Sequence, residues 1–259
     1  KTYAADIAQF ETWMDELAAA SKSNVDGANG VAGVVESLDG NKQYLFDSNG
    51  IEHIQLIEKG LMGAVMYYQG VSYYLENVGT QDNNTVTPGK GTAMEHYWDG
   101  AFGYFGVEKA FPVSTSTRYW GKYCNGRDAL LGCNKTIMDA FLKGRAAISA
   151  KDNVARDEAK AVLAAEWERV SAATAMHYIN TAKSSFADDA IRNHALSECI
   201  AFTLSLKSNL NKKISQADID RIIDEYIGPN LYEVTIQNLN KALDLLAITY
   251  ELESVKTQL

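Results

Sequence analysis

Apolar residues recur at every third or fourth position along most of the chain, which is the spacing of an amphipathic helix. The stretch 51–77 is apolar around almost its whole circumference, as expected of a helix at the centre of a bundle. No stretch alternates apolar and polar residues over many positions, so we expect almost no sheet. Only 3 prolines occur, which suits long uninterrupted helices.

The periodicity predicts helices over most of the sequence. They lie near residues 3–22, 51–78, 92–105, 128–149, 153–184, 188–210, 217–227 and 231–254. Helices of this number and length are typical of an all-α protein, a helical bundle. The chain has 259 residues, which suits one domain or two fused helical halves. We therefore predict a single all-α domain, or two halves at about 1–127 and 128–259.

Three segments between the predicted helices lack helical periodicity. Residues 24–50 are rich in glycine, which predicts a long loop with a short turn of helix at 31–37. Residues 79–90 read as a polar loop, and 111–127 as an irregular aromatic segment that could cover the mouth of a site. Long loops in a compact domain are often functional.

Composition limits the classes of partner. Apolar residues make up 46% of the chain and charged residues 22%, which allows a large core. The net charge of −9 disfavours nucleic acid and anionic membranes, and it is neutral to mildly favourable for cations. No run of about 18 apolar residues is present, so we predict no transmembrane segment.

The chain contains 3 cysteines. Cys124 and Cys133 flank a short segment that reads as a loop, and they could form a bridge in an oxidising compartment. Cys199 lies in an apolar helical stretch and is predicted to be a buried free thiol. No spacing of cysteine and histidine is typical of a zinc site.

The densest run of aromatic and ionisable residues, 94–107, contains the leading candidate site. His96 and Asp99 are three positions apart, so on a helix they share one face, and Glu95 precedes the histidine. Asp99 would accept a hydrogen bond from one imidazole nitrogen and orient the other toward a ligand. A transition metal requires a third protein ligand, and Glu58, a carboxylate within an apolar helix, could supply it.

We therefore predict that a divalent metal or iron binds at His96, Asp99 and Glu58. Further candidate site residues are Glu95, His194 and Glu198. The alternative is a polar cluster that only fixes helix packing, with tyrosine hydroxyls as its partners.

Other ionisable residues carry weaker signals. His194 and Glu198 are four positions apart, a spacing that also occurs in ordinary surface pairs on a helix. His53, near a predicted helix start, is expected to be solvated. Neither Gly-x-Ser-x-Gly nor His-Glu-x-x-His occurs, so hydrolysis is the least favoured function and no catalytic residue is predicted.

Three segments carry a resemblance to a known family. They are Glu-Lys-Gly-Leu-Met-Gly-Ala at 58–64, Met-Glu-His-Tyr-Trp-Asp-Gly-Ala-Phe-Gly-Tyr at 94–104, and His-Ala-Leu-Ser-Glu at 194–198. The chain resembles the imelysin-like family, and more closely an uncharacterised group of bacterial periplasmic or surface lipoproteins. The family helix carries Gly-x-His-x-x-Glu, which His96 matches, whereas Met94 and Asp99 stand at the glycine and glutamate positions.

The resemblance implies an all-α fold with a two-lobed arrangement of bundles. It also implies export to the periplasm or cell surface as a lipoprotein, anchored through a cysteine upstream of Lys1. Some family members are implicated in iron uptake and one was classed as a peptidase. The function it favours is binding of a metal ion or small molecule between helices. The alternative is a structural or protein-interaction module of the cell surface with no bound ligand.

Overall fold

The computed structural model describes residues 4–114 and 116–259. Most of this part is helical, which confirms the predicted all-α bundle. The α-helices are α1 (Ala4–Ala20), α2 (His53–Leu61), α3 (Ala93–Phe105), α4 (Tyr119–Leu131), α5 (Cys133–Ala150), α6 (Asn153–Ser184), α7 (Asp189–Ser205), α8 (Gln216–Asp220) and α9 (Ile236–Tyr250).

Two of these helices continue into π-helix. α2 runs on as Met62–Leu75, and α8 runs on as Arg221–Ile227. Short 3₁₀ turns occupy Val78–Thr80, Leu206–Ser208 and Leu231–Glu233. The predicted helix at 51–78 is therefore one helical stretch whose wider turns begin at Met62. π-Helical turns are rare and occur most often at functional sites.

A two-stranded hairpin lies within the predicted loop 24–50. Strands β1 (Gly33–Glu36) and β2 (Gln43–Phe46) pair antiparallel, with Val34 opposite Leu45. The short turn of helix predicted at 31–37 is wrong, because the consecutive β-branched residues Val34 and Val35 favour an extended strand.

Helix α4 corrects the prediction of an irregular segment at 111–127. It begins at Tyr119 and ends at Gly132, whose φ of 64° is left-handed, so the residues between Cys124 and Cys133 are helical rather than a loop. Only Trp120, Gly121 and Cys124 of this helix are buried. Three buried positions are too few to produce a visible helical period.

The chain forms two compact units, and neither is continuous in sequence. The first comprises residues up to 64 together with Ala172–Lys207 and Lys213–Leu259, and the second comprises Val65–Ser171 and Ser208–Lys212. The halves at about 1–127 and 128–259 stay a prediction. None of the described helices combines the length and apolarity that crossing a bilayer requires.

In the first unit, α2 packs on α1 and α7, and α7 also contacts both strands. The approach of α2's continuation to α7 is close, because a Cβ on Gly63 would lie 2.4 Å from the hydroxyl oxygen of Ser205. Helix α9 packs on the π-helical segment Arg221–Ile227. Buried leucine, isoleucine and alanine side chains fill the spaces between these helices.

In the second unit, α3 packs on α5 around a buried tryptophan. The indole of Trp98 lies against Gly144, where an added Cβ would be 2.0 Å from Cζ2 of the ring. Its Nε1 donates a hydrogen bond to the carbonyl oxygen of Phe141 at 2.9 Å. Beyond it, Trp167 is stacked on Tyr67 and packs edge-on against Phe105. This aromatic core fixes how α3 is rotated about its axis.

The three cysteines are free thiols, and all are buried. Cys133 donates its thiol hydrogen to the carbonyl oxygen of Cys124 at 3.2 Å, and no bond joins the two sulfur atoms. The predicted buried free thiol at Cys199 is confirmed, and burial raises its pKa to about 12. The pKa of Cys124 is also raised, by its contact with the Cys133 thiol and by burial.

Gly144→Ala should destabilise the protein, because the new methyl group has no room beside the Trp98 ring. We expect a loss of about 1–3 kcal/mol in the free energy of unfolding, measured by urea denaturation. Gly126→Ala on the exposed side of α4 is the matched control, since a Cβ there meets no atom within 4 Å. It should raise stability by about 0.5–1 kcal/mol. Equal effects at the two positions would contradict the packing described.

The thiols should be unreactive in the native protein and fully reactive after unfolding, since the reactive thiolate is disfavoured by burial. Titration with a thiol-specific chromogenic reagent should therefore show little native reaction. In urea without reductant it should reach all 3 equivalents. A bridge between Cys124 and Cys133 would leave Cys199 as the one reactive thiol.

Candidate functional site

Helix α3 carries the aromatic and ionisable run 94–107, and its start is fixed by a capping box. The Thr92 hydroxyl accepts a hydrogen bond from the Glu95 backbone N–H at 3.2 Å. The Glu95 carboxylate accepts one in return from the Thr92 backbone N–H at 2.9 Å. These bonds satisfy N–H groups that a helix start otherwise leaves unpaired. The helix ends at Gly106, whose φ of 89° is left-handed.

The faces of α3 differ sharply in exposure. The buried face comprises Met94, Trp98, Ala101 and Phe105. On the opposite side His96, Asp99 and Gly103 are exposed and form a ridge along the helix. The two predicted ligands His96 and Asp99 are therefore both exposed to solvent, outside the core.

Asp99 bonds to an arginine of α5. Arg145 Nε donates to Oδ1 of Asp99 at 3.0 Å, and Arg145 Nη1 donates to Oε1 of Glu95 at 2.6 Å. Ser149 Oγ donates to the same Glu95 oxygen at 2.8 Å. The hydrogen bond predicted between His96 and Asp99 is replaced by this ion pair. The spacing of Glu95 and Asp99 indicates a shared face, but the sequence does not identify Arg145 as the cation.

The metal site predicted at His96, Asp99 and Glu58 is not assembled. Glu58 is exposed on α2, and its Oε2 accepts a hydrogen bond from Lys59 at 3.2 Å. Throughout residues 4–114 and 116–259, no three His, Cys, Asp or Glu side chains form a group that could hold a metal ion. Asp99 and Glu95 share one protein cation, Arg145, as their partner.

His194 and Glu198 are held by different partners in the first unit. His194 Nδ1 lies 2.5 Å from Oε2 of Glu52, and Glu198 forms an ion pair with Lys59 at 3.5 Å. His53 is buried, with Nε2 3.0 Å from Oδ2 of Asp47, so the expectation that it is solvated is wrong.

The contact between Glu52 and His194 joins the start of α2 to α7. Tyr44 of β2 stacks on the imidazole, with ring centroids 4.2 Å apart. Ser197, the nearest hydroxyl on α7, accepts the Glu52 backbone N–H and donates to the Asn193 carbonyl oxygen. Its hydroxyl is thus committed to the backbone, and the arrangement is a structural link rather than a nucleophile with its base.

On one flank of α3, tyrosines of two segments form a contiguous aromatic surface. Tyr74 contacts Tyr97 edge-on at 5.2 Å and Tyr104 at 5.7 Å between ring centroids. Tyr73 stacks on Tyr97 at 5.9 Å, and their hydroxyl oxygens are 3.4 Å apart. Gly100 allows this packing, because a Cβ there would lie 2.8 Å from the Tyr74 ring. We call Tyr73, Tyr74 and Tyr97 the tyrosine platform.

A pocket of about 370 Å³ opens beside this platform. It is lined by Val65, Met66, Gly100, Gly103, Tyr104 and Tyr119. We call it the tyrosine pocket. Tyr119 is exposed and has a left-handed φ of 48°, a conformation that costs a non-glycine residue of order 1 kcal/mol. Strain of this kind is concentrated at functional sites.

Tyr74 and Tyr97 are neutral at physiological pH. Burial raises the pKa of Tyr74, and the hydrogen bond to Tyr73 raises the pKa of Tyr97. None of the described residues that line the tyrosine pocket is Asp, Glu, Lys, Arg or His. The surface therefore offers aromatic rings and uncharged hydroxyl groups to a ligand. From the sequence, the aromatic content of 94–107 and of 111–127, the segment that contains Tyr119, indicated it.

The fold and the pocket together define a mainly helical protein with an open, uncharged aromatic pocket. By sequence the chain belongs to a family of proteins that share a domain of unknown function, DUF4856, whose model matches residues 2–251. The comparisons find no similar curated protein and no similar solved structure. The resemblance to imelysin-like proteins stays a prediction.

Glu95→Gln should lower stability in a pH-dependent way. The Thr92 backbone N–H, the Ser149 hydroxyl and Arg145 hold the pKa of Glu95 below its ordinary value. A carboxylate with a lowered pKa stabilises the fold above its unfolded-state pKa, and this contribution is lost as pH falls through the folded-state pKa. We expect the free energy of unfolding of the variant to be about 1 kcal/mol lower than that of the unaltered protein at pH 7. This difference should shrink below about pH 4. Urea denaturation at both pH values measures it.

The control for Glu95→Gln is Glu158→Gln. Glu158 pairs with Lys143 at 2.8 Å, but both side chains are more than half exposed. Such surface pairs contribute about 0–1 kcal/mol. A pH-independent effect of Glu95→Gln, or one matched by the control, would contradict the network around Arg145.

Proposed function

We propose that the protein is a non-catalytic binding protein for an uncharged ligand built from rings with hydroxyl groups, the chemistry of carbohydrates. The observation that carries the proposal is the tyrosine pocket, whose described lining is aromatic, aliphatic and glycine without a charged side chain. An ionic ligand would lose its hydration in a neutral lining without gaining a charged partner, which costs free energy. It suits a ligand that combines apolar faces with hydroxyl groups.

The lining matches the two surfaces of a sugar ring. The C–H faces of a sugar are apolar and pack against aromatic rings such as Tyr104 and Tyr119. Each tyrosine hydroxyl both donates and accepts a hydrogen bond, as sugar hydroxyls do. Gly103 adds no side chain and a Cβ there would meet open space, so a ligand can approach the α3 backbone closely at this position. A volume of about 370 Å³ is within the usual range of small-molecule pockets.

The tyrosine platform supports a ligand of several rings. The contacts of Tyr74 with Tyr104 and with Tyr97 extend the aromatic surface from the pocket toward Tyr73. Tyr73 is 39% exposed, so part of its ring remains available to a ligand. A linear oligosaccharide has this repeating form, with one ring in the pocket and others along the platform.

We propose binding rather than hydrolysis because glycoside hydrolysis requires carboxyl groups at the site. Glycoside hydrolysis uses two carboxyl groups on either side of the scissile bond. The described lining of the tyrosine pocket contains neither Asp nor Glu. Asp99, on the neighbouring ridge, is bound to Arg145. The small-ligand form of the sequence hypothesis is therefore retained, and its metal-binding form is not.

Export as a periplasmic or surface lipoprotein remains part of the proposal. It comes from the resemblance, and it agrees with a polysaccharide ligand, which a bacterium meets outside its inner membrane. The competing function is a protein-interaction module of the cell surface. Exposed tyrosines are also frequent at protein interfaces, so the test must separate the two.

Gly103→Leu should weaken ligand binding without harming the fold. A side chain at Gly103 enters open space, since a Cβ there meets no atom within 4 Å, but it fills the pocket that Gly103 lines. We expect binding of neutral xylo-, cello- or malto-oligosaccharides to the unaltered protein, measured by isothermal titration calorimetry. Gly103→Leu should weaken it by about tenfold or more, equivalent to about 1.4 kcal/mol.

The matched control is Gly126→Leu, which adds the same side chain at an exposed helical glycine outside the pocket. Tyr97→Ala should reduce affinity for longer oligosaccharides more than for monosaccharides. An absence of binding to every neutral sugar would refute the proposal, and so would equal affinity of the Gly103 and Gly126 variants. Capture of a protein partner that Gly103→Leu prevents would instead support the interaction module.

A further inference from the structure

A second pocket lies on the opposite flank of α3, between that helix and α5. Its volume is about 270 Å³. The wall is apolar and consists of Trp98, Phe102, Met138, Phe141 and Leu142. The rim carries Asp99, Lys109 and Arg145. We call it the arginine pocket. It shares no lining residue with the tyrosine pocket, so the inference drawn from it is independent of the proposed function.

The apolar wall is held rigidly. The Trp98 indole is tied to the Phe141 carbonyl oxygen by a hydrogen bond of 2.9 Å. Phe141 also packs edge-on against Phe102, with ring centroids 5.2 Å apart. Since liquid water occupies about 30 Å³ per molecule, the pocket has the volume of roughly nine waters. That volume suits one ring or a short aliphatic chain, packed against aromatic faces.

The charged residues that line the pocket are two cations, Lys109 and Arg145, and one carboxylate, Asp99. Arg145 uses Nε and Nη1 for Asp99, Glu95 and Ser149. Its Nη2 group has two N–H donors that bond to none of the described residues. Lys109 is exposed and forms no ion pair within the described part of the chain. Asp99 is the one carboxylate among the lining residues, and it is paired with Arg145, which also binds Glu95 outside the lining.

We propose that the arginine pocket binds a small organic anion, an apolar ring or short chain that carries one carboxylate. The apolar part contacts Trp98, Phe102 and Phe141, while the carboxylate accepts hydrogen bonds from Lys109 Nζ and Arg145 Nη2. Hydrogen bonds between charged partners are the stronger kind, and the planar guanidinium matches a carboxylate. A cationic ligand would meet two positive groups and a carboxylate that is already paired.

The sign of the ligand charge is tested with three molecules that share one ring. Phenylacetate, phenylacetamide and phenethylamine are compared by ligand-observed NMR and calorimetry with the unaltered protein. The proposal predicts that phenylacetate binds most tightly and phenethylamine most weakly. Equal binding of the three molecules, preference for the amine, or no binding of phenylacetate at millimolar concentration would overturn it.

Variants at the rim test which groups recognise the carboxylate. Lys109→Gln removes an exposed charge that has no partner in the described structure, so it should leave the fold intact and weaken phenylacetate binding about threefold or more. Asp99→Asn should strengthen binding, because it removes the opposing charge from the rim. Lys143→Gln, an exposed lysine of α5 outside the pocket, is the control and should change nothing.

The two pockets are distinguished by crossing the variants. Gly103→Leu should leave phenylacetate binding unchanged, and Lys109→Gln should leave binding of neutral sugars unchanged, since neither residue lines the other pocket. Loss of phenylacetate binding in Gly103→Leu would place that ligand in the tyrosine pocket and refute the present inference. Weaker binding to Asp99→Asn than to the unaltered protein would refute it as well.

Discussion

The packing of Trp98 against Gly144 is the contact on which the surface of the second unit depends. Because the glycine has no side chain, the indole lies where a Cβ would be only 2.0 Å away, and its N–H reaches the Phe141 carbonyl oxygen. Because Trp98 points into the core, the 3.6-residue period of the helix determines the direction in which each other side chain of α3 points. His96, Asp99 and Gly103 face solvent, and the two pockets lie on either flank.

Arg145 is the protein cation that pairs with the acidic run on α3. Glu95 and Asp99 are one turn apart, and a divalent cation between them would need at least one further ligand. The guanidinium reaches both carboxylates at 2.6 and 3.0 Å and offsets part of their negative charge. It also connects the start of α3 to α5, so the same charges that resemble a binding motif hold two helices together.

Sequence periodicity is sufficient for the long helices, because their apolar residues recur at helical spacing over many turns. It was insufficient for α4, with three buried positions, and for the hairpin, whose strands are four residues each. For the candidate site, spacing identified the shared face of His96 and Asp99, but not its exposure. Arg145 is 46 residues from Asp99 in sequence, and Tyr73 is 24 from Tyr97. Partners so distant follow only from tertiary packing.

The two glycines of the tyrosine pocket have different physical explanations. A glycine inside a helix costs about 1 kcal/mol relative to alanine, so each calls for a compensating reason. At Gly100 the reason is internal, since the Tyr74 ring occupies the space a side chain would need. At Gly103 no atom of the described structure lies within 4 Å of a Cβ, so packing does not require glycine there. The ligand that we propose for the tyrosine pocket would occupy this space and would give glycine at position 103 a role that internal packing does not.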